Sequence, residues 1–264
     1  MPMGADVIGR ARLTQWMRQF VERWWGPVVL VGLWLWWIWL GEVPRVVAPR
    51  PVEVMGELAH PQWLLDALLT TVWMTVGGAL LGLVAGTGLA IAGWWFAPAR
   101  PAILAPAVLA QVIPLVVFIP ILGRVFGFGS PSVLAIAAIT GFFPSLVFVD
   151  SGLASVPQAR KELVQLLGAS RWRYLRHVAL PTSLPRLAVA LRLTASSAFL
   201  GTVTADFLVG SSGLGRLMAE TQFLLHTSRS WAIAVVVIAL SIAGYSCAGW
   251  FGGWVNDRFE ISET

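Results

Sequence analysis

Lysine is almost absent from this chain, with Lys161 the only one in 264 residues. Cysteine is as scarce: Cys247 stands alone in an apolar run, which excludes an internal disulfide and a thiolate metal cluster and reads as packing. Charge in general is thin. Asp, Glu, Lys and Arg together make 12% of the residues, against about 25% in an ordinary globular domain. The three histidines, His60, His177 and His226, are isolated, with no spacing that would hold a metal. No G-x-x-x-x-G-K-[ST] run occurs, so the usual cradle for ATP phosphates is missing.

What fills the chain is apolar. Hydrophobic residues make up 57% of it, a composition that needs lipid as solvent, and the length divides better into helices of about 20 residues than into soluble domains. Six stretches are long enough, or nearly so, to cross roughly 30 Å of hydrocarbon at about 1.5 Å per residue: 24–41, 67–96, 102–121, 132–149, 187–205 and 231–254. The second can tilt or break. Pro106, Pro114 and Pro120 kink the third. Arg192 sits a turn or two inside the fifth, where a long side chain reaches back to the interface as an anchor. The fold expected is an all-α integral membrane protein of about six transmembrane helices.

Basic residues orient these spans, because loops rich in arginine and lysine stay cytoplasmic. With the N-terminus inside, the inner segments hold twelve basic residues: Arg10, Arg12, Arg18, Arg23, Arg100, Arg160, Lys161, Arg171, Arg173, Arg176, Arg186 and Arg258. The outer loops hold five: Arg45, Arg50, Arg124, Arg216 and Arg229. Both termini are therefore expected in the cytoplasm, and the net charge of +5 reflects topology rather than a basic soluble face for nucleic acid. Residues 1–23 are expected to form a cytoplasmic N-terminal segment, either an amphipathic helix on the inner leaflet over 8–25 or a frayed terminus. The tryptophan-rich run 28–40 lacks a small-x-small cleavage site, so it reads as a retained anchor. Residues 24–264 make the transmembrane part.

The long cytoplasmic loop 150–184 carries the densest structural signals. Ser155 is placed to cap a helix with Pro157 in its first turn and Gly168 closing it in a left-handed conformation. Leu163, Leu166 and Leu167 share one face of that helix. A second short helix is expected from Ser170 to Pro181, with Ser183 and Pro185 starting the next span. A short apolar helix that cannot bury its own face suits a groove on another subunit.

The run Glu162-Leu-Val-Gln-Leu-Leu-Gly168, followed after nine residues by Val178-Ala-Leu-Pro181, resembles the EAA loop of inner-membrane permeases of bacterial ABC importers. Leu163 and Val164 stand where the family has two alanines, and Val178 replaces a usual isoleucine. Flanking features agree: Pro49-Arg-Pro-Val-Glu-Val54, Ile113-Pro114, Phe142-Phe143-Pro144 and Gly213-Leu-Gly215. Together they resemble the nitrate/sulfonate/taurine branch from about Pro49 onward. Asp206 departs from it, since relatives tend to carry a glutamate there.

The resemblance implies a type I importer permease in the bacterial cytoplasmic membrane, a transport subunit and not an enzyme. Its implied partners are a second permease copy or paralogue, two cytoplasmic ATPases that bind the ATP, an extracytoplasmic solute-binding protein and the lipid bilayer, with no cofactor in this chain. Glu162 would be a polar anchor for the ATPase and Leu163, Leu166 and Leu167 the buried knob, with Gly168, Ala169 and Ser170 making the turn and Leu180 and Pro181 completing the loop. The solute implied is a small anion of the nitrate, sulfonate or taurine kind, or alternatively a pyrimidine precursor of thiamine or another small nutrient. A stand-alone secondary transporter would need an internal repeat or paired ionisable residues at the bilayer centre, and a membrane enzyme a cluster of acids, histidines or a nucleophile; neither pattern is present. Two features stay open. Gly78, Gly82 and Gly86 recur as a small-residue stripe suited to close helix packing, and Asp206 either lines the outer mouth of the path or caps a helix end.

Overall fold

Small residues decide how this chain packs. The computed structural model describes residues 25–26, 29–41, 44 and 47–258, the last four by backbone alone. The segment 1–23 and, but for Trp25, the expected amphipathic helix lie outside the described residues. Helices follow one another as α1 (Val29–Leu40), α2 (Pro51–Ala59), α3 (Gln62–Trp95), α4 (Arg100–Ala110), α5 (Leu115–Phe126), α6 (Ser130–Ala154) and α7 (Gln158–Leu166). Then come α8 (Arg171–Tyr174), a π-helical turn (Leu175–Ala179), α9 (Leu180–Val209), α10 (Leu214–Phe223) and α11 (Thr227–Arg258). No strand occurs among the described residues.

The centre is α6, clasped between α3 and α9. Gly78, Gly82 and Gly86 are all buried on α3, and a Cβ on Gly82 would lie 2.6 Å from the Ala138 carbonyl and 2.8 Å from the Gly141 backbone. The glycine stripe therefore serves backbone-to-backbone approach, which in lipid replaces the missing hydrophobic drive with dispersion and polar contacts. Those polar contacts follow the same seam. Ser145 Oγ donates to the Leu83 carbonyl at 3.1 Å, and across the other face Thr194 Oγ1 donates to the Gly141 carbonyl at 3.2 Å.

Among the described residues, four helices are long and apolar enough to cross a membrane: Gln62–Trp95, Ser130–Ala154, Arg171–Val209 and Thr227–Trp254. The expected third span proves broken rather than kinked. α4 and α5 meet at 104° and count as one further span only if taken together. Pro114 is the reason the chain cannot run straight through: it sits before α5 with ψ 128°, and it has no N–H for the preceding turn. α1 rises only about 18 Å along its axis, so six full spans are not reached by length among the described residues. Trp34 of α1 nevertheless stacks on Trp231 of α11, with ring centroids 4.7 Å apart.

The bundle has two distinguishable ends. At one, Arg100 grips Asp150 through two bonds of 2.7 and 2.8 Å, tying the start of α4 to the end of α6. At the other, the Gly129 N–H donates to the Val209 carbonyl at 2.9 Å, and Arg229 pairs with Glu57 at 3.1 Å. The first end also carries α7, Arg160, Lys161, Arg171, Arg173, Arg176 and Arg186.

Candidate functional site

α7 is an amphipathic helix whose apolar face is left bare. Its termination is written in the backbone: Gly168 has φ +65°, its N–H bonds the Gln165 carbonyl at 3.0 Å, and the Ala169 N–H bonds the Val164 carbonyl at 3.3 Å. These paired bonds form a Schellman ending, which needs a left-handed residue after the helix. Leu163, Leu166 and Leu167 are 56, 85 and 75% exposed, together forming an apolar ridge with no cover in the single chain. Glu162 lies beside it and accepts from Gln158 Nε2 at 2.9 Å.

Ser155 takes a different part from the one expected. Its Oγ donates to the Gly152 carbonyl at 2.7 Å, so it closes α6, while Pro157 precedes α7 and offers its carbonyl to Arg160 and Lys161 at 3.0 and 3.2 Å. The second arm departs further. Ser170 does cap it, accepting from the Arg173 N–H at 3.4 Å, but Pro181 does not stop it. The chain runs from Arg171 to Val209 as one helical span, because the π-helical turn Leu175–Ala179, with Leu180 N–H bonded to the Leu175 carbonyl, adjusts the backbone just before the proline that lacks a donor. Pro185 likewise lies inside α9 rather than at its start.

The expected site residues thus fall into two groups. Glu162 to Ser170 gather at the exposed knob, whereas Leu180 packs against the buried cluster of Leu175, Ala179 and Leu153 and Pro181 belongs to the first turn of α9. Arg171 and Trp94, which the motif did not single out, seat the arm: Arg171 Nη2 donates to the Trp94 carbonyl at 2.9 Å, and its guanidinium lies over the Trp94 and Trp95 rings at 5.2 and 5.5 Å. The only hint in the sequence was a tryptophan pair at the end of an apolar run.

Asp206 is fully buried at the opposite end. Its carboxylate accepts from the N–H groups of Gly213 and Arg216 at 3.3 and 3.0 Å, and Thr71 Oγ1 accepts from the Leu214 N–H at 2.8 Å. It therefore caps α10, where free N–H groups and the helix dipole favour an anion. Gly213 permits the approach, since a Cβ there would sit 2.8 Å from the Asp206 carboxyl carbon. Arg192 turns toward α11, with its guanidinium 5.2 Å over the Tyr245 ring and Nη2 3.5 Å from the Gly249 carbonyl.

A cavity of about 540 Å³ opens where α4 and α5 break, against α6 and α9. Its wall carries Gln111, Phe118, Thr140, Phe143, Phe148 and Ser197, and no ionisable side chain is among the described residues lining it. Backbone that leaves helical form inside a bundle, lining a cavity, is tolerated in membranes where it is screened from lipid.

Comparison with known proteins adds three kinds of likeness. The profile of the family described as "Binding-protein-dependent transport system inner membrane component" matches residues 78–261. Among relatives, the "Probable ABC transporter permease protein" of Haemophilus influenzae is 29% identical over 230 residues, covering 85% of this chain and 94% of that one. The riboflavin transport system permease protein RibX of Chloroflexus aurantiacus is 30% identical over 237 residues (84 and 85% covered), and the taurine transport system permease protein TauC of Escherichia coli 29% identical over 224 (79 and 80%). A chain of the MetNI methionine ABC transporter in an inward-facing conformation has the same fold, with a TM-score of 0.64 at 20% identity, over 74% of this chain and 97% of that one.

Proposed function

This chain belongs to the family of binding-protein-dependent transport system inner membrane components, and from that premise we propose that it works as one half of an importer's membrane path, driven through α7 by a separate ATPase. The bare ridge of Leu163, Leu166 and Leu167 at the basic end of the bundle carries this reading. A short helix with its apolar face turned out of the fold is a knob for a groove, and its rigid Schellman ending presents it at a fixed angle. Two copies of the chain, or one with a paralogue, would face each other across the path. Two ATPases would each receive a ridge on the cytoplasmic side, and a binding protein would deliver solute to the α10 side. Closure of the ATPase pair would draw the ridges together and tip the bundle as a rigid body. Because α7 is at the basic end, that end is assigned to the cytoplasm together with both termini.

The broken helix and its cavity are assigned to the solute path. Its family branch points to a small sulfonate-type anion; the cavity favours a second reading, since a wall of phenylalanines, hydroxyls and one amide without a fixed cation suits an uncharged ring better than an anion. The name of the riboflavin relative is consistent with the second. The test is reconstitution in proteoliposomes with the cognate ATPase and binding protein. Solute-dependent ATP hydrolysis is expected only from the full set, and competition between taurine and an uncharged pyrimidine separates the two solutes. Hydrolysis by the isolated chain, or uptake without the ATPase, would remove the assignment.

A further inference from the structure

On the side of α7 away from its exposed leucines lies a second cavity, of about 510 Å³, between that helix, the end of α3 and the turn into α4. Its wall carries Arg100, Lys161 and Arg171 beside Trp94 and Tyr174, and no carboxylate. Arg100 is matched by Asp150 just behind it. Lys161 and Arg171 have no carboxylate partner among the described residues, and Arg171 is held flat across two indoles, with a single N–H on the Trp94 carbonyl. Tyr174 stacks on Trp94 at 5.8 Å, and its buried hydroxyl has no hydrogen-bond partner among the described residues. The cleft thus offers two unmatched cations and an unused donor.

Its position is as telling as its charge. Trp94, Trp95 and Trp172 cluster here, the residue type that settles at the level of lipid headgroups. α7 contains no fully buried residue, so its seating depends on its ends and on whatever occupies the cleft. We propose that the cleft binds the phosphate of an anionic phospholipid headgroup, bridging Lys161 on α7 to Arg171 at the head of the next span. Arginine's planar fork suits phosphate oxygens. Two unmatched cations favour a lipid with net negative charge over a zwitterionic one, whose own ammonium group they repel. Only the consequence, a coupling helix stiffened by lipid, rests on the transport reading above; the binding stands or falls by itself.

The test uses the full-length purified chain and native mass spectrometry, with phosphatidylglycerol, phosphatidylcholine or inorganic phosphate added. Phosphatidylglycerol should be retained in preference to phosphatidylcholine. The pair Lys161→Gln and Arg171→Gln should weaken it about 25-fold, near fivefold for each charge. Lys161→Gln alone, which leaves Arg171 on its indoles, should show its single fivefold share. Arg160→Gln, which deletes the same charge from an exposed neighbour, should leave retention at the wild-type level. Displacement of the lipid by millimolar inorganic phosphate would name free phosphate as the occupant instead. Equal retention of both lipids, or equal loss in Arg160→Gln and Lys161→Gln, overturns the site.

Discussion

Replacing Gly168 by valine perturbs the proposed coupling element at one torsion and nowhere else. The residue sits at φ +65°, a conformation that costs glycine little but costs a residue with a Cβ about 1–2 kcal/mol, and a β-branched one more. No atom lies within 4 Å of a Cβ placed there, so neither a clash nor a packing gain adds to this figure. Relief of about 2 kcal/mol favours conformations without the left-handed turn by a factor of about 30, at the expense of the two bonds that end α7. The ridge of Leu163, Leu166 and Leu167 then loses its fixed angle while every membrane helix stays as it was. The assay is affinity of the reconstituted permease for its ATPase, expected to be about ten- to thirtyfold weaker, with permease abundance unchanged. Gly168→Asn is the control, because asparagine tolerates the left-handed region, and it should bind nearly as the wild type. Wild-type affinity and coupled turnover in Gly168→Val would refute the reasoning, and an equal defect in Gly168→Asn would show that side-chain bulk, not conformation, is what matters.

Glu162→Ala should leave the fold intact, since its bond to Gln158 is exposed, yet weaken ATPase copurification; undiminished copurification would leave Glu162 without an anchoring role. Gly82→Val should act in the opposite way, because its added Cβ would fall 2.6 Å from a backbone oxygen that cannot yield; overpacking of about 1–3 kcal/mol or more should lower the amount of folded protein by size-exclusion chromatography. Asp206→Asn turns one acceptor oxygen into a donor facing an N–H group, so a loss of about 1–3 kcal/mol in thermal unfolding is expected, whereas unchanged stability would mean that α10 is not held by this cap. In a Cys247→Ser background, a cysteine at Ser212 should react with an impermeant thiol reagent in whole cells and one at Gln158 should not; the reverse pattern inverts the topology.

The sequence by itself determined the medium, most of the long helices and the leucine ridge of α7. Thin charge and long apolar runs leave only lipid as a solvent, and the glycine-spaced stripe on α3 needed no tertiary information to be read as a packing seam, because a period of four places those residues on one face of a helix. Gly168 was legible for a similar reason: a glycine after a run of leucines is a local signal, and a helix end is made from local hydrogen bonds. Only the tertiary structure decided what prolines and polar residues do. Pro181 looks like a stop and Pro185 like the start of a new span, yet a π-helical turn packed through Leu175 and Ala179 into the core lets one helix run through both. Pro114, by contrast, divides a span. Asp206 could be given either of two roles until folding brought the Gly213 and Arg216 amides to its carboxylate across an intervening loop. Arg171 became an anchor only because the end of α3 returns beside it. These outcomes depend on which distant backbone groups remain unpaired once helices are packed, and the order of residues along the chain does not contain that information.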